Sequence, residues 1–205
     1  RMAAREKDIS TTSSMAATAD KHELYEEAVQ NVEEEVRFFK ATFKEIVGRD
    51  ALVFREDFCG TASASCEWAR QGSDHRAIGV DLCADTLQWG RDKRLSKLTS
   101  EEQSRVTLIE GDVLNSPAEA ADILGASNFS YWCFHTRADL LAYFKAAYAN
   151  IKDDGLFFLD IYGGSEAFEE MKEKTKHDDF TYVWHQKNYY PVTAEYICQI
   201  HFHFP

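Results

Sequence analysis

The stretch Ala51-Leu52-Val53-Phe54-Arg55-Glu56-Asp57-Phe58-Cys59-Gly60-Thr61-Ala62 decides how the rest of the chain is read. Ala51–Arg55 is a short, mostly apolar run of strand length. It passes through two acids into a turn at Gly60, and a helical pattern resumes over 62–71. Strand, small-residue turn and helix in that order open a βα unit, and the alternation continues downstream. Further strands are expected at Ala77–Val80, Val106–Ile109, Ile123–Ala126 and Leu156–Ile161, with helices near 84–98 and 137–151. Short apolar runs separated by helices predict an open α/β fold with parallel strands, and right-handed crossovers put helices on both faces.

Upstream, Leu24, Ala28, Val32, Val36, Phe39, Phe43 and Val47 recur every three or four residues, with Glu26, Glu27, Glu33 and Glu34 between them. This spacing predicts one N-terminal helix over 20–48, capped by Asp20 with Glu23 in its first turn and stopped at Gly48. Residues 1–19 have no such period and read as a flexible arm. After Gly163-Gly164 a charged stretch reads as helical to about Lys176. Thr181–Lys187 and Glu195–Phe204 then read as an antiparallel hairpin around Pro191.

The 205 residues are 44% hydrophobic and 28% charged, which suits one globular domain over 20–205. Its expected parts are the N-terminal helix, a core over 49–164 and a helix with hairpin over 165–205. Thirty-five acids against 23 Lys and Arg give a formal charge of −12, so attraction to phosphate backbones cannot drive binding over most of the surface. Nucleic acid is a poor default partner. No apolar run is long enough to span a bilayer and the N-terminus lacks a secretory pattern, so no membrane partner and a cytoplasmic location are expected, an organelle being compatible. The five cysteines are odd in number and widely spaced, which favours reduced thiols.

In an open parallel sheet the ligand lies beyond the carboxyl ends of the strands. Asp81 closes the second strand about 20 residues after the Gly60 turn, the offset at which a carboxylate receives ribose hydroxyls. After the third strand, Asp112 can take an adenine amino group while Val113 covers the ring. A nucleoside-containing ligand follows, either a dinucleotide or S-adenosylmethionine. A dinucleotide wants GxGxxG, and Phe58-Cys59-Gly60-Thr61-Ala62 has one of those glycines. Glu56 and Asp57 would repel a pyrophosphate and attract an amino group or a sulfonium. Each acid taken singly is equally well a helix cap or a loop residue.

Taken in order, Glu56 to Ala62, Gly79-Val80-Asp81, Gly111-Asp112-Val113, Asn128-Phe129-Ser130-Tyr131 and Asp160-Ile161-Tyr162-Gly163-Gly164 resemble the motifs of class I S-adenosylmethionine-dependent methyltransferases. The likeness covers roughly 22–204. It is nearest to a small-molecule methyltransferase-like group with an Arg-Glu-Asp-Phe-Cys-Gly-Thr signature. The resemblance implies a Rossmann-like doubly wound sheet in strand order 3-2-1-4-5. It also implies S-adenosylmethionine as cofactor, with S-adenosylhomocysteine as product. Glu56, Cys59, Gly60 and Thr61 would surround the methionine part, Asp81 and Leu82 the ribose, Asp112 and Val113 the adenine, with Asn128 beside them. Phe58 and Ala62 stand where the wider superfamily more often has glycine.

The full fold of that family carries seven strands, and a last helix and two strands are missing from the pattern here. The fifth strand is therefore expected to be an edge protected by a homodimer or by a further C-terminal segment. The acceptor is expected to be a small molecule. Methyl transfer needs alignment foremost, and a base only where the acceptor must lose a proton. His135, Tyr162 and His185 are the candidates for that task, with Asp160 beside them. Tyr182, Trp184, His185, Tyr189 and Tyr190 suit a flat or cationic acceptor, although a half-buried hairpin needs such rings anyway. Trp68 and Trp89 read as core. His201 and His203 share a strand face, but without a third ligand no metal is expected. A non-catalytic methyltransferase-like binding or assembly protein is the alternative, and a nicotinamide dehydrogenase ranks last.

Overall fold

Val53–Asp57 forms the strand β1, in which Val53, Phe54, Arg55 and Asp57 are buried and only Glu56 is partly accessible. The structure, a computed structural model, describes residues 14–205. In chain order its elements are α1 (Met15–Thr18), α2 (Lys21–Val29), α3 (Val32–Val47), β1, α4 (Ser63–Arg70), β2 (Arg76–Asp81), α5 (Ala84–Lys93), α6 (Ser100–Gln103), β3 (Val106–Glu110), β4 (Ala121–Ala126), α7 (Arg137–Ala149), β5 (Ile151–Leu159), β6 (Met171–Lys176), β7 (Thr181–Tyr190) and β8 (Glu195–His203). Of the arm read over 1–19, residues 1–13 lie outside the described residues.

The described chain forms two compact units, one spanning Asn31–Tyr162 and the other joining residues 14–30 to Gly163–Pro205. In the first, five parallel strands stand in the order β3-β2-β1-β4-β5, the expected doubly wound arrangement. β1 is central: Phe54 is level with Ala77 of β2 and with Ile123 of β4. Its alternate residues feed opposite faces. Phe54 packs with Phe39 and Phe43 of α3 and with the fully buried Trp68 of α4, while Val53 joins Val80, Val113 and Tyr143 on the other side. Trp89 is half-buried, with the Arg94 guanidinium over its ring.

The N-terminal helix is two helices. Asp20 caps α2 by accepting from the backbone N–H groups of His22 and Glu23, as its position predicts. At Gln30 the backbone turns extended (φ −101°, ψ 132°), and the Asn31 side chain accepts from Glu34 N–H to start α3. An asparagine oxygen offers the backbone an alternative to the helix ladder, so it favours a start over an interior position. The apolar period runs on across the break, which is why spacing alone merges the two. Gly48 ends α3 in the left-handed region, φ +84°.

In the second unit β6, β7 and β8 form an antiparallel sheet in that order. The expected β7–β8 hairpin is present, with a register shift between Gln186 and Asn188. The stretch read as a helix to Lys176 is instead a 3-10 turn at Ser165–Phe168 followed by the strand β6. Its charges suggest a solvated helix. The physical pattern is a two-residue alternation, Met171, Glu173 and Thr175 against Lys172, Lys174 and Lys176, and pairing with β7 satisfies its backbone. The hairpin is thus part of a three-stranded sheet.

Candidate functional site

The turn after β1 is held in an unusual conformation. Phe58 (φ +59°), Gly60 (φ +54°) and Ala62 (φ +59°) all occupy the left-handed region, which costs a residue with a Cβ roughly 1–2 kcal/mol. Packing offsets that cost. The Phe58 ring lies against Phe134 and Tyr143, 6.2 and 5.5 Å between centroids, and Ala62 is fully buried. Cys59 is buried, donates its N–H to Val80 O, and lies over Gly79, where a Cβ would come within 2.9 Å of its Sγ. Thr61 is nearly buried, and its carbonyl oxygen would meet a Cβ at Gly90 of α5 at 2.4 Å. A Cβ at Gly60, by contrast, would meet nothing within 4 Å, so that residue borders open space.

Asp81 ends β2 beside this turn and ties it down. One carboxylate oxygen accepts from Gly60 N–H and the other from Cys83 N–H at the start of α5, both at 2.8 Å. Spare lone pairs on a fixed carboxylate at a sheet's carboxyl edge suit paired hydroxyls. Leu82 follows and is 70% exposed.

Glu56 accepts from Ser65 N–H at 3.1 Å and from the Ser65 hydroxyl at 2.6 Å. Burial, with the charges of Glu35 and Asp81, pushes its pKa up to about 8 against the lowering by Ser65. Glu35 on α3 accepts a short hydrogen bond from the Ser127 hydroxyl after β4. Burial and Asp160 raise it as well. Asp160, after β5, accepts from Phe129 N–H at 2.6 Å. An excess of carboxyl groups without a matching cation is an arrangement that a bound cation relieves. Asp57 is not part of it. That side chain is buried between the Arg55 guanidinium (2.7 Å) and the Tyr143 hydroxyl (3.1 Å), so only Glu56 of the two adjacent acids reaches the mouth of the sheet.

Beyond β3, Asp112 accepts from Leu114 N–H at 2.9 Å, while its carbonyl holds Asn115 and Ser116. Val113 is buried with Ile78, Val80 and Ala126. Asn128 (φ +56°) is exposed at the end of β4, as is His135 further on. Tyr162 is half-buried with its ring 5.8 Å from Phe129. The fold therefore gathers Glu56, Cys59, Gly60, Thr61 and Asp81 at adjacent strand ends and sets Asp112, Asn128 and Tyr162 at the next ones. His185 belongs to the antiparallel sheet of the other unit, where its Nδ1 lies 3.4 Å from His201 Nε2.

Glu35, Ser65 and Ser127 join Glu56 in this polar cluster, and the sequence pattern does not point to them. Glu35 lies four residues before Phe39 and three after Val32, which puts it at the margin of the buried stripe. That position distinguishes it from Glu33 and Glu34, which are exposed.

No family model matches the chain, and no curated protein matches its sequence. Solved structures share its fold. A S-adenosylmethionine-dependent methyltransferase from Clostridium acetobutylicum superposes with a TM-score of 0.64 at 17% identity, covering 89% of this chain and 79% of that one. DesVI of Streptomyces venezuelae gives 0.67 at 16% identity, with 91% and 84% covered. CalS10, an amino pentose methyltransferase from Micromonospora echinaspora, gives 0.65 at 14% identity, with 89% and 80% covered.

Proposed function

We propose that this chain is a methyltransferase that uses S-adenosylmethionine as donor and a small molecule as acceptor. The observation that carries the reading is the Asp81 carboxylate, fixed by Gly60 and Cys83 at the carboxyl end of β2 beside a glycine that borders open space. The residues fit that donor. Asp81 and Leu82 hold the ribose. Asp112, at the end of β3, takes the adenine amino group, with Val113 behind it and Asn128 alongside. Gly60 admits the methionine part without a side chain in the way, and Cys59 and Thr61 fix the turn around it. Glu56 accepts from the donor's ammonium and gives up its own proton as it does so. S-adenosylmethionine supplies an electrophilic methyl group, and S-adenosylhomocysteine is the product.

What this chain does for the transfer is align and desolvate. Tyr162 and His135, at the ends of β5 and after β4, receive the acceptor and take its proton where it carries one. The fold's likeness to an amino pentose methyltransferase supports a small acceptor bearing a nucleophilic nitrogen or oxygen. Calorimetric titration with S-adenosylmethionine and S-adenosylhomocysteine is the test. Saturable binding of both is expected, with Asp81→Ala weakening each by roughly tenfold or more. An unaltered affinity in that variant, or no binding by the intact chain, overturns the reading.

A further inference from the structure

The second unit segregates its charge. Alternation along β6, β7 and β8 and their pairing register put Lys172, Lys174 and Lys176 on one sheet face with Thr181, Val183 and His185 and with Gln199, His201 and His203. Side-chain contacts bear out the two faces. The His185, His201 and His203 rings neighbour one another at 5.6 and 6.1 Å, whereas Tyr182 meets Phe202 on the reverse side. Three lysines and three histidines thus share this face, whose carboxylates, Glu195 at the start of β8 and Glu170 before β6, lie at one end of it, in a protein with a formal charge of −12. The acid of β6, Glu173, points the other way. The lysines and His203 are exposed, His185 and His201 are half-buried, and Val183 beneath them is buried. Among the described residues none of the three lysines forms an ion pair.

We infer that this face of the β6-β7-β8 sheet is an oxyanion-binding site that takes the phosphate or pyrophosphate group of a small molecule. Successive lysines stand ~6.6 Å apart along β6, because a strand rises about 3.3 Å per residue. His185 Nδ1 and His201 Nε2 are hydrogen-bonded to each other at 3.4 Å, which leaves His185 Nε2 and His201 Nδ1 as the ring donors for an anion once the imidazoles are protonated. Positive potential at the centre has a separate sign: burial, Lys172, His201 and Lys187 hold the His185 pKa below its ordinary value, against an opposing contribution from Glu170 at the end of the face. An anion reverses that balance, so it binds more tightly as the imidazoles protonate. The patch is small and flanked by Glu170 and Glu195, which suits a compact phosphate better than a nucleic-acid backbone.

The inference does not depend on methyl transfer, and its test uses no methyl donor. Inorganic pyrophosphate is titrated into the intact protein at fixed ionic strength while the histidine ring protons are followed by NMR. Saturable shifts of His185 and His201 are expected, with affinity greater at a pH of about 6 than of about 8. Lys172→Gln with Lys174→Gln, at exposed positions, should weaken binding at least roughly tenfold with an unchanged Tm. Shifts that chloride reproduces, or a double variant that binds equally well, overturn the site. Tighter binding of single-stranded RNA than of pyrophosphate, with a steep salt dependence, overturns the small-molecule assignment.

Discussion

At the scale of single residues, the candidate site is a set of polar groups whose partners are mostly backbone N–H. Asp81 accepts from Gly60 and Cys83, Asp112 from Leu114, and Asp160 from Phe129. Each acid both shapes its own turn and faces the carboxyl edge of the sheet. Glu56 differs, because its side-chain partner Ser65 cannot neutralise it and burial keeps it protonated to about pH 8. The sign of its effect on stability follows. A carboxyl with a folded pKa above the unfolded value stabilises below about 4.5 and progressively loses that contribution as pH rises to about 8. Glu56→Gln is therefore expected to gain stability relative to the parent across that window, read as Tm against pH; parallel curves would show that the carboxyl is already ionised. The proposed ammonium contact adds a binding signature. At a pH of about 7, donor binding should release close to one proton, seen as a dependence of calorimetric enthalpy on the ionisation enthalpy of the buffer. Glu56→Gln should abolish the release, and equal enthalpies in all buffers would count against the contact.

At the scale of elements, strand existence was legible because β2 and β4 are largely apolar runs bounded by turns and helical stretches separate them, whereas the order of the strands followed from the family resemblance. What stayed hidden was decided by single polar groups or by tertiary pairing. The Asn31 cap divides two helices that share one apolar stripe. β6 becomes a strand because β7 supplies its hydrogen bonds, a partner that lies outside any local window. Of the site, the acids at the ends of β2 and β3 and the Gly60 turn were legible from offset. Glu35 was not, since its role needs Ser127, 92 residues away, to be brought beside α3. Gly90 shows the same limitation. It reads as an indifferent glycine within a helix, yet α5 crosses so close to Thr61 that a Cβ would sit 2.4 Å from the backbone oxygen. Gly90→Ala must push α5 away from the turn that Asp81 anchors. A loss of roughly 1–3 kcal/mol, as for other overpacked positions, is expected in denaturant unfolding, together with weaker donor binding. An alanine variant as stable as the parent would mean that α5 shifts freely and does not brace the turn.

At the scale of the whole molecule, the two edges of the parallel sheet are unequal. β3 ends in an exposed Glu110 and carries Thr107 exposed between its apolar residues. β5 pairs with β4 on one side only, and beside it Phe38 on α3 is 59% exposed with its ring 5.9 Å from that of Phe158. Just past the strand, Ile161 is 80% exposed. An open edge strand bordered by apolar surface invites pairing, whereas charge on such an edge opposes it. Asp153 and Asp154 supply charge near the start of β5, and Arg49 neutralises Asp154 through contacts at 2.8 and 2.9 Å. The protection is therefore confined to the first half of the strand. We propose that copies of the chain associate through the second half. Sedimentation equilibrium of the intact protein is expected to show reversible self-association, which Ile161→Lys and Phe38→Lys, both exposed, should shift toward the monomer with little change in Tm. Salt separates this mode from pairing through charge: apolar and backbone contacts persist or strengthen as ionic strength rises, whereas an association driven by opposite charges weakens over a Debye length that shrinks to about 3 Å at 1 M. Self-association that dissolves in salt and ignores both lysines would place the contact elsewhere on the surface.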